Sequence, residues 1–214
     1  MKPLSASELS MWRKDKTLYM KRYVEGEAEE PNEQMKLGTL VHKAIENPTY
    51  PWLKEMVSYP PETIKAVRKI LDKEWKLRNG EPETVMRATT QNDIPLIAIF
   101  DCFNKAERTL DEYKITANKF RWNQYRVDVN FQLSFYAYVY YLNFHSYFTE
   151  MRLHQLNIAT GSVKTFKTVR SKADVETMDR LVHYAVVEMK NAGVWEKRMT
   201  KDQRLKKNQL TMTV

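Results

Sequence analysis

Apolar residues recur with two different periods along this chain, and the change of period marks its elements. Leu9, Trp12, Leu18, Met20 and Tyr23, set among lysines and arginines, predict an amphipathic helix from Ser5 to about residue 24. Ser5 and Glu8 are spaced as a capping box at its start. Residues 25–33 are acidic and read as a solvated loop. Leu37, Leu40, Val41, Ala44 and Ile45 fall on one face of a second helix over about 35–47, closed by the proline-containing stretch 47–51. A third helix, over 60–80, opens with Pro in its first turn and closes at Gly80.

After Gly80 the period drops to two. Residues 83–90, 94–103 and 108–115 are short β-branched or aromatic runs separated by Asn-Asp and Asn-Lys turns, the pattern of consecutive antiparallel strands. A helix is expected over 124–144, then strands at 150–159 and 162–169 joined by Thr-Gly-Ser, then a helix over 171–192. This order predicts one α/β domain over 1–195, with a central mixed sheet and helices on both faces. Residues 196–214 are expected to form a basic tail.

Composition narrows the function. With 214 residues, 43% of them hydrophobic, and 12 Tyr, 8 Phe and 5 Trp, the chain has material for a real core and not for a disordered segment. Cys102 is the single cysteine, which excludes an internal disulfide framework and any cysteine-built zinc or iron–sulfur cage, and makes a reducing compartment the expectation. No apolar run reaches the length of a membrane span and the first residues lack a signal-peptide core, so a cytoplasmic protein without membrane contact is expected. A net charge of +8 suits a polyanionic partner, most simply nucleic acid. Arg13, Lys14, Lys16, Lys21 and Arg22, with the tail, are placed to meet phosphates. Trp12, Tyr19, Trp122 and Tyr125 either stack on unpaired bases or, the commoner fate, pack in the core.

The chemistry-bearing residues sit on the strands. In the segment Leu110–Asn118, residues two apart share a strand face, so Glu112 and Lys114 project together while Asp111 and Tyr113 point the other way. Alone, an acid-x-Lys is an ordinary cross-strand charge pair. Asp101 changes the balance, because an acid set in Leu-Ile-Ala-Ile-Phe-Asp-Cys-Phe needs a partner if buried. If the strands at 93–104 and 108–116 pair through the turn between them, Asp101 lies beside Glu112. Two converging carboxylates form a hard oxygen site suited to Mg²⁺ or Mn²⁺. His42 and Glu46 share a helix face, with Gly38 a turn earlier, as a metal ligand with its support or as a surface pair. Gln132 and Tyr136 likewise share a face and can hydrogen-bond a phosphate or a base edge.

The ordered set Gly38-x-x-x-His42-x-x-x-Glu46, Asp101, Glu112-x-Lys114 and Gln132-x-x-x-Tyr136 resembles the RecB-like branch of the PD-(D/E)XK nuclease superfamily over roughly residues 4–140. The resemblance implies a restriction-endonuclease-like core and a Mg²⁺- or Mn²⁺-dependent deoxyribonuclease acting on DNA, in particular single strands or ends. It implies His42, Asp101, Glu112 and the Tyr113 carbonyl as metal ligands and Lys114 as the catalytic lysine. Glu46 would be a supporting carboxylate, and Gln132 and Tyr136 would orient DNA or the lysine. The four cysteines of the iron–sulfur members are absent, so no cluster is expected. Ala98 stands where the family often has Gly, and Ile115 separates the lysine from Thr116. Asp111 is expected to be a bystander. The alternative is a nuclease-fold protein that binds nucleic acid or a partner without cutting.

Overall fold

A computed structural model of the protein describes residues 2–27, 30–117, 121–200 and 203–204. The Ser5 hydroxyl accepts the Glu8 N–H at 3.3 Å and caps α1 (Ala6–Lys14). Only this half of the expected capping box forms there, because the Glu8 side chain turns inward. It is 1% exposed, accepts from the Tyr19 hydroxyl at 3.0 Å and meets the Arg198 guanidinium at 3.2 Å. The continuous helix expected to residue 24 is also broken. Asp15 competes for the backbone as short acidic side chains do, accepting the Leu18 N–H at 2.8 Å and restarting the chain as α2 (Lys16–Tyr19). A π-helical turn, Met20–Glu25, follows and ends at Gly26 in the left-handed region.

Asn32 caps α3 (Glu33–Glu46), which is followed by a short helix not expected from the pattern, α4 (Trp52–Glu55), and by α5 (Pro61–Leu77). The helix expected over 124–144 is two, α6 (Gln124–Asp128) and α7 (Phe131–Phe144), because the Asn130 side chain accepts the Leu133 N–H at 3.0 Å and caps the second. A complete capping box at Ser171 and Asp174 opens α8 (Lys172–Asn191).

Six strands form one mixed sheet: β1 (Leu4–Ser5), β2 (Glu81–Thr89), β3 (Pro95–Asn104), β4 (Thr109–Thr116), β5 (Glu150–Asn157) and β6 (Ser162–Thr168). The order is β1-β3-β4-β5-β6, with β2 on the remaining edge of β3. β4 and β5 run parallel, as do β1 and β3, and the other pairs are antiparallel. Helices α1, α7 and α8 bury one face around Trp12, Phe135, Tyr138 and Val182; α3 and α5 bury the other around Val41, Ile70 and Tyr113.

The sheet forks at β3. With β2 along one edge, the other edge is shared by β1, opposite Leu96 and Ile97, and β4, opposite Cys102 to Asn104. Among the described residues no strand pairs with positions 98–101 on that edge. The β2 ladder also skips Asp101, opposite Glu83, which takes a positive φ of 47°. Face alternation is lost there: Leu96, Ala98 and Phe100 join the α7 core, then Phe103 does so, while Cys102 joins the α3–α5 core. Asp101 therefore stands in the crotch of the fork. Among the described residues no helix is long and apolar enough to cross a membrane. Of the stretch from 196, Arg198 is fully buried, and 201–202 and 205–214 lie outside the described residues, as do Ala28 and Glu29 of the acidic loop.

Candidate active site

The antiparallel pairing of β3 and β4 stops at Cys102 opposite Asp111, one step before Asp101 would face Glu112. From there the strands separate. The Tyr113 N–H donates to Oδ2 of Asp101 at 2.7 Å, so a side-chain carboxylate stands in for the lost strand carbonyl. Glu112, 2% exposed, faces α7 with one oxygen, Oε1, on the Lys114 ammonium. Its other oxygen, Oε2, is buried and receives no hydrogen bond from the described residues.

Lys114 also donates to Oε1 of Gln132 at 2.8 Å, and Nε2 of Gln132 donates to the Tyr136 hydroxyl at 2.6 Å. Gln132 and Tyr136 lie one turn apart on α7, so the tyrosine fixes the amide with its oxygen toward the lysine. On the other side, α3 brings Nδ1 of His42 to 3.8 Å from Oδ1 of Asp101. The imidazole sits edge-on to the Tyr113 ring, and the Tyr113 backbone weakly favours its protonated form. Glu46, a turn further along α3, adds negative charge near Asp101 and faces Glu83.

Electrostatics mark this cluster. Burial, then the charge of Asp101, push the Glu112 carboxyl up to about 7 from an ordinary 4.5, against the pull of Lys114. Burial likewise lifts Asp101 from 3.8 to about 6, although Lys114 and the Tyr113 N–H oppose it. Burial acts downward on Lys114, but Glu112 and Asp101 outweigh it and hold the ammonium above its usual range. Burial lowers His42, favouring the neutral imidazole that can ligate a metal. Crowded carboxylates kept short of positive charge are a common mark of functional sites.

The donors suit a hard divalent cation. Among the described residues no three His, Cys, Asp or Glu side chains form a ready-made cage. The set is instead two carboxylates with an imidazole beside them, one carboxylate oxygen lacking a donor, and backbone oxygen and solvent left to complete the shell. Mg²⁺ commonly binds in this way, through one or two carboxylates and several waters.

Two surface grooves reach residues of this cluster. One is bounded by His42, Gly38, Lys114 and Arg121, the other by α1, β3 and the α6–α7 corner, reaching Gln132 and Tyr136. Arg121 and Glu83 were not marked by any sequence pattern. Arg121 reaches the site from an irregular segment, and the positive φ of Glu83 has no signal in its residue type.

Other expected residues lie elsewhere. Trp12 and Tyr19 are buried core residues, 3% and 0% exposed, and are closed to bases. Asp111 lies outside the candidate site, on the other face of the strand, as expected. β4 is interior to the sheet, and Asp111 is 5% exposed on its opposite face. There it accepts two hydrogen bonds from Arg152, at 2.6 and 2.9 Å, and sits 2.8 Å from Nε2 of His154.

The mixed sheet flanked by helices, with the fork at its centre, is a nuclease-like fold. A crystal structure of a candidate exonuclease from Eubacterium rectale is similar to it, with a TM-score of 0.60 at 11% identity, covering 88% of this chain and 79% of that one. No protein-family model matches the sequence, and no curated protein matches it.

Proposed function

We propose that this chain is a RecB-like PD-(D/E)XK nuclease that hydrolyses phosphodiester bonds in DNA with the help of Mg²⁺ or Mn²⁺. The observation that carries this reading is Lys114, held between Glu112 and Gln132 beside Asp101. A charged donor and two carboxylates, one with a buried oxygen that no described residue donates to, converge beside the groove that Lys114 and His42 line. Asp101 and Glu112, with His42 and the Tyr113 carbonyl, would hold the cation. When bound, it would supply charge neutralisation and Lewis acidity at the phosphoryl oxygens.

The chain's own residues supply the rest. Gln132, locked by Tyr136, keeps the Lys114 ammonium in place without neutralising it. A cation held there stabilises negative charge as it develops on a phosphoryl oxygen, and needs no reorganisation at the moment of reaction. The acids beside it keep Lys114 protonated. Incubating the purified protein with labelled single-stranded and duplex DNA and Mn²⁺, alongside Glu112→Ala and Lys114→Ala variants, tests the reading. Loss of cutting in both variants supports it; wild-type cleavage no greater than theirs rejects it.

A further inference from the structure

We infer that β2 pairs with β2 of a second copy of this chain, antiparallel about a twofold axis at Val85, so that two six-stranded sheets become one. β2 is nine residues long, about 30 Å, and among the described residues its main chain pairs only with β3. Its other edge is a row of N–H and C=O groups on which a further strand can form.

The opposite edge of the sheet shows how such a row is normally protected. β6 carries Lys164 and Lys167, and its Val163 and Lys167 carbonyls accept from Lys73 at 3.3 Å and from Gln124 at 2.7 Å. On β2, Pro82 and the positive φ of Glu83 interrupt only the first residues. From Thr84 to Thr89, Arg87 is the one charge.

The side chains of this edge are complementary to themselves. Met86 and Ala88 turn to the α7 core, so Glu83, Val85 and Arg87 take the other face, where Val85 is 52% exposed. Among the described residues no ion pair engages Glu83 or Arg87. Four residues of strand hold the two about 13 Å apart, too far to meet each other. In an antiparallel pair centred on Val85, Glu83 of each copy stands opposite Arg87 of the other, and the two Val85 side chains meet between them. Ile99, 45% exposed, is the β3 neighbour of Val85, so a band of four aliphatic side chains, Ile99–Val85–Val85–Ile99, crosses the join. Moving the register by two residues sets Val85 against Arg87 or Glu83, and moving it by one turns the faces against each other. The register that satisfies charge and apolar contact together is twofold symmetric, as homodimer interfaces are.

The inference stands on the fold, whether or not the candidate site cuts DNA. It nevertheless bears on that site, because Glu83 lies across from Asp101 at the fork. With the axis perpendicular to the sheet, both candidate sites face the same side. Strand spacing and rise place the two Asp101 positions roughly 20 Å apart.

Sedimentation velocity in EDTA without nucleic acid, at up to about 100 µM protein, reads the association directly. The expected species has twice the 25.5 kDa of one chain. Arg87→Glu and Glu83→Arg each set like charges across the join, and each is expected to weaken it by at least about tenfold. The double swap Glu83→Arg, Arg87→Glu restores it to within about threefold of the wild type. Mild oxidation reads the register: Val85→Cys is expected to form a disulfide-linked dimer, while Arg87→Cys, about 13 Å from its own copy, is not. Cys102 is 0% exposed and takes no part in either reaction. Should a charge reversal fail to fold, the two cysteine variants carry the test. A monomer throughout overturns the inference and leaves the edge to a strand of another protein. A dimer indifferent to both reversals overturns it as well, and so does Val85→Cys cross-linking no better than Arg87→Cys.

Discussion

The N–H of Tyr113 donates to the carboxylate of Asp101 at 2.7 Å across the point where β3 and β4 part. One hydrogen bond thus does two things. It satisfies a backbone group that the fork would orphan, and it fixes an acid beside Glu112 that burial would otherwise expel. Burial of the two acids works against their charged forms at this point.

Asp101 and Glu112 hold protons more tightly in the folded chain, near 6 and 7, than at their ordinary values of 3.8 and 4.5. Between about pH 4 and 7 the folded state therefore binds more protons than the unfolded one, and stability falls as pH rises through that window. Thermal melts in EDTA are expected to show this decline. Glu112→Gln should flatten it and raise the melting temperature at pH 8. Since each tenfold change in proton affinity is worth about 1.4 kcal/mol, the gain is on the order of a few kcal/mol.

Divalent metal should act in the opposite sense. Mn²⁺ at a hundredfold over its dissociation constant adds about 2.7 kcal/mol to the stability of a folded protein that binds it. Titrating Mn²⁺ into the wild type at pH 8 is expected to raise the melting temperature, and the rise should vanish in the Asp101→Asn, Glu112→Gln double variant. An equal rise in both would place the metal elsewhere.

Lys114 and Gln132 should separate in kinetics. Removing a preorganised donor to developing charge commonly lowers kcat by about 10²–10³, and Lys114→Ala is expected in that range. Gln132→Ala leaves the ammonium charged but loosely held, so a smaller loss in kcat is expected. Steady-state rates on one oligonucleotide decide it, and a Gln132 variant as slow as the Lys114 variant would contradict the holding role.

On the far face of the sheet, Asp111→Ala takes the nearest carboxylate from both Arg152 and His154, leaving them Glu150 at 3.8 Å and Glu74 at 3.6 Å. Breaking a buried pair from one side commonly costs about 3–5 kcal/mol, and urea melts should show a loss of that order. The loss is one of folding, so any folded fraction should keep the cleavage proposed for the opposite face.

Gly38 lies mid-helix in α3 beside His42, and a Cβ added there would meet nothing within 4 Å. Gly38→Ala should therefore stabilise the helix by about 0.5–1 kcal/mol. Because this position borders the groove that Lys114 lines, Gly38→Leu is expected to slow cleavage while melting no lower than the wild type.

Much of this was legible in the residues. The period change at Gly80 gave the strands and their order, and the odd acid at Asp101 pointed to the site. Gln132 and Tyr136 were readable because a helical spacing of four fixes which side chains meet. The breaks at Asp15 and Asn130 were harder, because one side chain capping a backbone N–H overrides a continuous apolar stripe. The face of Asp111 was legible but its partners were not, since parity says which face a residue takes and not what lies on that face. Arg152 and His154 are distant in sequence and reach Asp111 only through the parallel β4–β5 pairing. The fork itself could not be read, because a two-residue strand such as β1 has no periodicity to detect.

The contact between Glu8 and Arg198 joins residues 190 apart in sequence, both sealed from solvent. Arg198 also donates to the Lys2 carbonyl at 2.7 Å, and the Met199 N–H to the Tyr23 carbonyl at 2.7 Å. α1, which walls the groove, is thus clasped by a segment the ribosome delivers almost two hundred residues later. Closing so long a loop costs entropy before any contact rewards it, and long-range closure slows folding. The sheet and its acids can assemble first, so a nascent chain would hold its carboxylates in place before α1 is clasped.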